Sequence, residues 1–456
     1  MQLPNGFVLG AATAAYQIEG AVNEDGRGVS IWDTYSHTPG RILDGQTGDI
    51  ADDHYHRLDE DLDLMARLGL DAYRFSIAWP RIVPQGTGAT NAAGIDFYSR
   101  LVDGLLARGI RPMATLYHWD LPQPLEDRGG WANRDTATAF AEYAAVAGAA
   151  LGDRVDSWAT LNEPWGSAYL GYASGAHAPG RQNKVEAFRA VHHLNLAHGL
   201  ATQELRGVVD AQAQLSVVLN VHSFRGVGPT GDEAREKLEA VANDAFLAPM
   251  FEGRLSERLL AMTEHITDWG FVEDGDLETI CQPLDLLGLN FYHSSPVRMR
   301  QTPDTGAALP QHTQWPGAED VEFLPKAGPL TEMGWNIDPA ALTELLLGLT
   351  ERFPGLPLMI TENGLVLSDV AVDGAVQDAA RINFIRDHLK ATMAAIDQGA
   401  DVRGYLVWSL LDNFEWSFGF SKRFGLVHVD YETQTRTLKD SARWFSDVIS
   451  RRQVDE

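Results

Sequence analysis

The stretch Val155-Asp156-Ser157-Trp158-Ala159-Thr160-Leu161-Asn162-Glu163-Pro164 is a short, largely apolar run that ends in reactive polar side chains. A run of this length, followed by a longer segment of helical periodicity, is typical of a strand buried in a parallel sheet. Burying the amide of Asn162 and the carboxyl of Glu163 costs free energy unless both groups are paired. The stretch therefore predicts a strand whose carboxyl end opens into a pocket.

The same pattern occurs eight times along the chain. The predicted strands are Phe7–Ala11, Ala72–Ala78, Arg111–Tyr117, Val155–Leu161, Leu215–Asn220, Leu286–Asn290, Leu358–Thr361 and Val402–Ser409. Predicted helices between them include Asp59–Leu68, Ile95–Arg108, Arg134–Leu151, Val185–Leu205 and Asp378–Ile396. Alternating strands and helices indicate an α/β fold with a parallel sheet, and eight units favour a closed (β/α)8 TIM barrel with elaborated βα loops. An open doubly wound sheet would contain the same elements.

Length and composition are those of an ordinary globular protein. The chain has 456 residues, of which 45% are hydrophobic and 22% charged, and no low-complexity spacer divides it. We therefore predict a single catalytic domain over residues 1–456. The polar stretch Gln301–Pro329, which is rich in proline and glycine, is interpreted as a functional or disordered loop within that domain.

The net charge and the cysteine content limit which binding partners and which cellular compartment we expect for the protein. The formal net charge of −27 disfavours nucleic acid and anionic membranes as partners. Cys281 is the only cysteine, so no intramolecular disulfide can form. The first six residues, Met1-Gln2-Leu3-Pro4-Asn5-Gly6, lack the basic and apolar regions of a signal peptide, and we expect a cytoplasmic protein. The oligomeric state stays open, and a homo-oligomer is compatible with the sequence.

Reactive residues follow the ends of several predicted strands, where a barrel places its active site. They are Tyr117-His118-Trp119-Asp120, Asn162-Glu163-Pro164, Asn290-Phe291-Tyr292, Glu362-Asn363-Gly364, and Trp408 with Ser409. If Glu163 and Glu362 face one cavity, the negative charge of one carboxylate raises the pKa of the other. The pair then provides one acid and one nucleophile. The alternative is that each glutamate is isolated on the surface or in an ion pair.

Six motifs in order resemble glycoside hydrolase family 1, the β-glucosidase family. They are Phe7-Val8-Leu9-Gly10-Ala11-Ala12-Thr13-Ala14-Ala15-Tyr16-Gln17-Ile18-Glu19-Gly20, Tyr73-Arg74-Phe75-Ser76-Ile77-Ala78-Trp79-Pro80-Arg81, Thr115-Leu116-Tyr117-His118-Trp119-Asp120-Leu121-Pro122, Thr160-Leu161-Asn162-Glu163-Pro164, Ile360-Thr361-Glu362-Asn363-Gly364, and Asp412-Asn413-Phe414-Glu415-Trp416 leading to Lys422-Arg423-Phe424-Gly425-Leu426. The resemblance covers nearly the whole chain.

The resemblance implies a retaining β-glycosidase, most simply a β-glucosidase. Glu163 would be the general acid/base and Glu362 the nucleophile that forms a covalent glycosyl-enzyme. Arg74 and Tyr292 would support the nucleophile, and Asn162 would contact the 2-hydroxyl of the sugar. The implied substrate-binding residues are Gln17, His118, Trp119, Asn162, Asn290, Tyr292, Trp335, Trp408, Glu415, Trp416 and Phe424. The carboxyl group of Glu415 would repel a 6-phosphosugar.

Other functions remain as alternatives. The same residues could serve a β-galactosidase, a β-fucosidase or a transglycosylase, or a sugar-binding protein without catalysis. No cofactor or metal is predicted, because there is no His-Glu-x-x-His motif, P-loop or Gly-x-Ser-x-Gly turn. The histidines of His54-Tyr55-His56 and His192-His193 are expected to be exposed or to lie on a helix face.

Overall fold

The computed structural model describes residues 1–301 and 313–455, and its centre is a closed barrel of eight parallel strands. The described strands are β1 (Val8–Ala12), β2 (Ala72–Ser76), β3 (Arg111–Tyr117), β4 (Ser157–Asn162), β5 (Gln214–Leu219), β6 (Ser223–Gly226), β7 (Leu286–Asn290), β8 (Ser294–Met299), β9 (Val321–Phe323), β10 (Leu358–Asn363), β11 (Val402–Trp408), β12 (Val427–Asp430) and β13 (Thr435–Leu438). Around the barrel the order is β1, β2, β3, β4, β5, β7, β10 and β11, and β11 pairs with β1 to close the ring. The predicted (β/α)8 barrel is confirmed.

Helices surround the barrel and fill the connections between its strands. The α-helices span Ala15–Ile18, Ile31–Ser36, Leu58–Leu68, Trp79–Ile82, Ala92–Ala107, Gln123–Glu126, Asp135–Leu151, Lys184–Val208, Gly231–Glu239, Ala245–Leu247, Glu257–Thr263, Asp276–Ile280, Pro339–Arg352, Ala379–Asp397 and Asp440–Arg451. Short π-helices span Gly166–Ser174, Ala240–Asp244 and Ala248–Glu252, and 3-10 helices span Leu43–Gly45, Gly130–Ala132 and Trp416–Ser421. The five helices predicted from periodicity are all present, with ends that differ by a few residues.

The helix Leu58–Leu68 shows why the periodic segments fold as they do. Its residues Leu58, Leu62, Met65 and Leu68 are spaced by three or four and are all buried, whereas acidic side chains occupy its first turn. The helix ends at Gly69, whose φ of 70° is the left-handed conformation that glycine adopts without a side-chain penalty.

Two small sheets lie outside the barrel. Strands β6, β8 and β9 form one, and β12 pairs with β13 in the other. Strand β9 lies within the predicted loop Gln301–Pro329, of which residues 302–312 fall outside the described part of the chain. This loop therefore contributes ordered structure beside β8, which directly follows the carboxyl end of barrel strand β7.

Apolar residues fill the rest of the barrel. One buried cluster consists of six residues from six different barrel strands, namely Val8, Ala72, Met113, Leu286, Met359 and Leu406. Most of these residues lie near the amino ends of their strands, so apolar side chains occupy that end and polar ones collect at the other. Within residues 1–301 and 313–455, none of the helices combines the length and the apolar character needed to span a bilayer.

Candidate active site

A cavity of about 580 Å³ opens at the carboxyl end of the barrel strands. The predicted site residues that line it are His118, Trp119, Asn162, Glu163, Asn290, Tyr292, Trp335, Glu362, Trp408, Glu415, Trp416 and Phe424. Two predicted residues lie behind this lining. Arg74 contacts Glu362 and Asn162, and Gln17 donates to the side chain of Asn413 and the carbonyl of Phe414.

Glu362 lies near the end of β10 and is almost fully buried. Arg74 donates from one guanidinium nitrogen to Oε1 of Glu362 at 2.8 Å, and the Tyr292 hydroxyl donates to Oε2 at 2.8 Å. The pKa of Glu362 is raised from its ordinary value because burial outweighs the charge and hydrogen bond of Arg74 and the hydrogen bond of Tyr292, which lower it. These direct contacts favour the ionised form of this carboxyl group.

Glu163 follows the last residue of β4 and is partly exposed to the cavity. Its Oε1 accepts a hydrogen bond of 2.7 Å from the amide of Asn290. Removal from water and the negative charge of Glu362 raise the pKa of Glu163 to about 8. This carboxyl group therefore holds its proton at neutral pH, while its partner is held by a guanidinium and a hydroxyl.

One hydrogen-bond network connects the two glutamates. Arg74 donates to Glu362 and, at 2.6 Å, to Oδ1 of Asn162. The amide of Asn290 donates to the same Oδ1 at 3.0 Å and to Glu163. Because every link is buried or partly buried between barrel strands, the network fixes both carboxyl groups relative to one rigid scaffold.

Both glutamates lie where the regular pairing of the barrel strands is interrupted. The register between β4 and β5 shifts between Ala159 and Asn162, and the register of β10 against β7 shifts between Ile360 and Glu362. Glu163 itself has a φ of 45°, which is uncommon for a residue with a side chain. Such irregularities at strand ends redirect side chains, and here they accompany the two acidic groups.

Three predicted sugar-binding residues carry buried polar atoms with no hydrogen-bond partner in the described part of the chain. The atoms are Oε1 of Gln17, Nδ1 of His118 and Oε2 of Glu415. Burial and the nearby Arg74 hold the pKa of His118 well below its usual range, so its ring is neutral. The ring accepts from the Asn162 amide through Nε2, which leaves Nδ1 as a donor. Unpaired donors and acceptors of this kind suit a ligand with several hydroxyl groups.

Aromatic faces surround the same part of the cavity. The rings of His118 and Trp408 lie 5.8 Å apart at an angle of 24°, and those of Trp119 and Trp416 lie 4.6 Å apart. Tyr292 contacts Trp335, with ring centroids 5.4 Å apart. Indole faces are suitable surfaces for the apolar C–H patches of a pyranose ring.

Sequence reasoning missed several residues that line the cavity. They are Trp165, Leu170, Ala176, Asn220, Val221, His222, His293, Ser295, Gln314, Trp315, Phe323, Lys326, Met333 and Ser417. Trp165, Asn220 and His293 stand at or just after strand ends, and this position could have identified them. Trp315, Phe323 and Lys326 come from the loop Gln301–Pro329 and carry no motif.

The expectation for His54 is wrong. It is buried and lies outside any helix, with Nδ1 2.7 Å from Oδ2 of Asp61, because this carboxylate satisfies the ring inside the protein. His192 and His193 lie on the helix Lys184–Val208 as expected, and both are buried. Within the described residues, no group of three or more His, Cys, Asp or Glu side chains is arranged to hold a metal ion.

Fold and site together define a class of protein. A parallel barrel whose carboxyl end holds two carboxyl groups of unequal proton affinity, among aromatic faces and unpaired polar atoms, is a barrel glycoside hydrolase. The sequence model of Glycosyl hydrolase family 1 matches residues 1–454. The chain belongs to glycosyl hydrolase family 1.

Known proteins from several bacteria are similar to this chain over nearly their whole length. A bifunctional β-D-glucosidase/β-D-fucosidase from Bifidobacterium breve is 52% identical and covers 99% of this chain and 98% of its own. Thermostable β-glucosidase B from Thermobispora bispora is 50% identical, with 99% and 91% covered. The crystal structure of a psychrophilic β-glucosidase from Micrococcus antarcticus matches with a TM-score of 0.95 and 45% identity, covering 99% of this chain and 98% of that one.

Proposed function

We propose that this chain is a retaining β-glucosidase that removes terminal β-D-glucosyl residues from short β-glucosides such as cellobiose and aryl glucosides. The observation that carries the proposal is the unequal environment of Glu163 and Glu362. One retains its proton to about pH 8, and the other contacts a guanidinium and a phenol. A single active site thus offers an acid and a nucleophile at neutral pH.

In the first step the carboxylate of Glu362 attacks the anomeric carbon, and the bond from that carbon to the glycosidic oxygen breaks. Glu163 gives its proton to the departing oxygen, so the aglycone leaves as a neutral alcohol. The product is a glycosyl ester of Glu362. Asn162 would hold the 2-hydroxyl, an interaction that strengthens as positive charge develops on the ring.

In the second step water replaces the aglycone. Esterification removes the negative charge of Glu362, and the pKa of Glu163 falls because that charge was one of the causes that raised it. Glu163 can then take a proton from water while the water oxygen attacks the anomeric carbon. The bond to Glu362 breaks, and the sugar leaves with its original configuration.

The names of the relatives support the sugar preference. The Bifidobacterium breve relative is named for both β-D-glucosidase and β-D-fucosidase activity, which favours β-fucoside hydrolysis as a second activity. A solved structure that is 42% identical is a β-glucosidase from Thermotoga maritima in complex with glucoimidazole. Burial and the charge of Glu362 raise the pKa of Glu415 to about 8, so at neutral pH this position offers a protonated carboxyl group and supplies no positive charge for a 6-phosphate dianion.

We further infer that the whole chain acts as one catalytic domain in the cytoplasm. The single cysteine is consistent with a reducing compartment. Because cellobiose is a short product of cellulose breakdown, hydrolysing it would place the enzyme at the end of cellulose degradation.

Product stereochemistry in two variants tests the roles of the glutamates. Glu362→Gly should lose at least about 1,000-fold in kcat for 2,4-dinitrophenyl β-glucoside, and azide should restore turnover by attacking the opposite face of the sugar. The product should be the α-glucosyl azide. In Glu163→Gln, azide should attack the glycosyl-enzyme instead and give the β-glucosyl azide. NMR of the isolated azides distinguishes the two.

The control is Glu432→Gln, which changes an exposed glutamate on the surface and should leave kcat unchanged. Near-native turnover of Glu362→Gly without azide would show that Glu362 is not the nucleophile. An α-azide from Glu163→Gln would exchange the two roles.

A further inference from the structure

Part of the cavity lining, which we call the aromatic wall, consists of Trp165, His222, His293, Trp315, Phe323 and Lys326. The rings of Trp165 and Trp315 lie 4.9 Å apart, and His222 contacts both at 4.6 and 5.1 Å. Phe323 continues the wall, 5.4 Å from Trp315. The proposed mechanism uses none of these residues, yet they line the same cavity as Glu163.

Lys326 is the only lysine or arginine among the described residues that line the cavity. Its Nζ donates to Nδ1 of His293 at 3.0 Å. Within residues 1–301 and 313–455, no carboxylate oxygen lies within 4.0 Å of this ammonium group. Burial lowers the pKa of Lys326 to about 8, so the group is still mostly charged at neutral pH.

The neighbouring imidazoles do not share this charge. Burial and the charges of His293 and Lys326 lower the pKa of His222 to about 3, and burial and the charge of Lys326 lower that of His293 to about 4. The aromatic wall therefore carries one positive charge, and Glu163, Glu362 and Glu415 line the same cavity without being part of this wall. A half-buried ammonium with hydrogens to spare is stabilised by an anion that reaches it.

We propose that the aromatic wall binds an aglycone that is an aromatic ring bearing a carboxylate, and that Lys326 selects it over the uncharged ring. This inference rests on the proposed β-glucosidase function. The flat side chains fit the ring, and the ammonium fits a single negative charge. A dianionic phosphate fits less well, because a single ammonium group balances only one negative charge and the chain carries a net charge of −27.

The test compares carboxyphenyl β-D-glucosides with the matching carbamoylphenyl β-D-glucosides, with the substituent at ring positions 2, 3 and 4. Each pair has similar size but differs in charge. The measurement is the ratio of kcat/KM for carboxylate over carboxamide at pH 7 in the wild type, Lys326→Met, Lys326→Arg and the remote control Lys390→Met. Comparing ratios between variants cancels the different leaving-group strengths of the phenols.

We expect the ratio to fall about tenfold in Lys326→Met for at least one ring position, which is the loss of one charge-assisted hydrogen bond. Lys326→Arg should keep most of the ratio, and the carboxamide alone should change less than about twofold in every variant. Lys390→Met should match the wild type.

Unchanged ratios at all three positions would overturn the inference and leave the proposed function intact. An equal loss for carboxylate and carboxamide would also overturn it, since Lys326 would then support the wall or bind a hydroxyl group. Failure of the wild type to cleave any of the six glucosides would overturn the proposed function and this inference together.

Discussion

Glu163 and Glu362 have the same side chain, and their neighbours give them different chemistry. Glu362 contacts a guanidinium and a phenol, whereas Glu163 accepts one amide hydrogen bond and faces the charge of Glu362. The difference depends on three residues from two other barrel strands or their ends, namely Arg74 on β2 and Asn290 and Tyr292 at the end of β7. A single substitution in that set should therefore change the titration of the pair.

The pH dependence of kcat/KM should report the proton on Glu163. Because the acid must be protonated, activity should fall about tenfold per pH unit above pH 8, near the pKa of Glu163. The acid limb reflects protonation of Glu362. In the wild type the hydrogen bond from Tyr292 lowers the pKa of Glu362. Tyr292→Phe removes this bond, so the pKa should rise and the acid limb should move to higher pH. Initial rates on an aryl glucoside between pH 4 and 10 give both limbs.

Glu415 also has a pKa of about 8 and serves as the control. Glu415→Gln should be a weaker enzyme that keeps the alkaline limb, whereas Glu163→Gln should lose it. The opposite result would assign the limb to Glu415.

At this scale the sequence predicts residues that stand in motifs at strand ends. Both glutamates, Asn162 and Tyr292 can be found in this way. Lys326 cannot be found in this way, because it lies on a loop. The side chains around it, among them Trp165 and Phe323, are distant in sequence and come together only in the folded chain.

At the level of elements, the eight barrel strands and the long helices could be predicted because burial imposes their periodicity. Strands β6, β8 and β9 could not be predicted in the same way, because β6 and β9 are short and β8 contains Pro296. The register shifts beside Glu163 and Glu362 could not be predicted either, because a single sequence carries no signal for the pairing between strands.

Gly10 tests how closely the barrel strands pack. A Cβ at this position of β1 would lie 2.2 Å from the carbonyl oxygen of Ala72 on β2, so the backbone would have to move. We expect Gly10→Ala to lower the free energy of unfolding by about 1–3 kcal/mol, as overpacking does. Thermal unfolding followed by circular dichroism measures the loss.

Gly348→Ala is the matched control on the helix Pro339–Arg352, because among the described residues no atom beyond its chain neighbours and the nearby helix backbone lies within 4 Å of the added Cβ. It should raise stability by about 0.4–1 kcal/mol through the lower entropy of the unfolded chain. Equal melting temperatures for wild type and Gly10→Ala would mean that the strands tolerate the side chain without strain.

For the whole molecule, buried neutral histidines make stability depend on pH. Burial lowers the pKa of His388 to about 4, below the value of about 6.5 in an unfolded chain. Between these values the unfolded chain binds a proton that the folded one does not, so this contribution is complete above pH 6.5 and is lost as the pH falls toward 4. His198 and His222, with pKa values of about 3, act in the same direction.

The raised pKa values of Glu163, Glu415 and Asp120, all about 8, act in the opposite direction. The prediction is therefore a difference between variants. Lowering the pH from 7 to 5 should reduce the free energy of unfolding more in the wild type than in His388→Leu. The difference between the two proteins should be on the order of 1 kcal/mol per pH unit below 6.5. Urea unfolding at both pH values measures this, with the exposed His265→Leu as control. A pH-independent difference for His388→Leu would show that its ring is not buried neutral.

The pairing of β1 with β11 sets the order of events during translation. A ribosome that has released residues through Asn363 has made both glutamates of the proposed mechanism, yet the barrel still lacks its last strand, β11. The nascent polypeptide then presents two unpaired sheet margins, on β1 and β10, which invite aggregation until Val402–Trp408 emerges. Stalled chains should accordingly gain hydrolytic activity in one step, only after Trp408 has left the exit tunnel, and a gradual rise with length would contradict this.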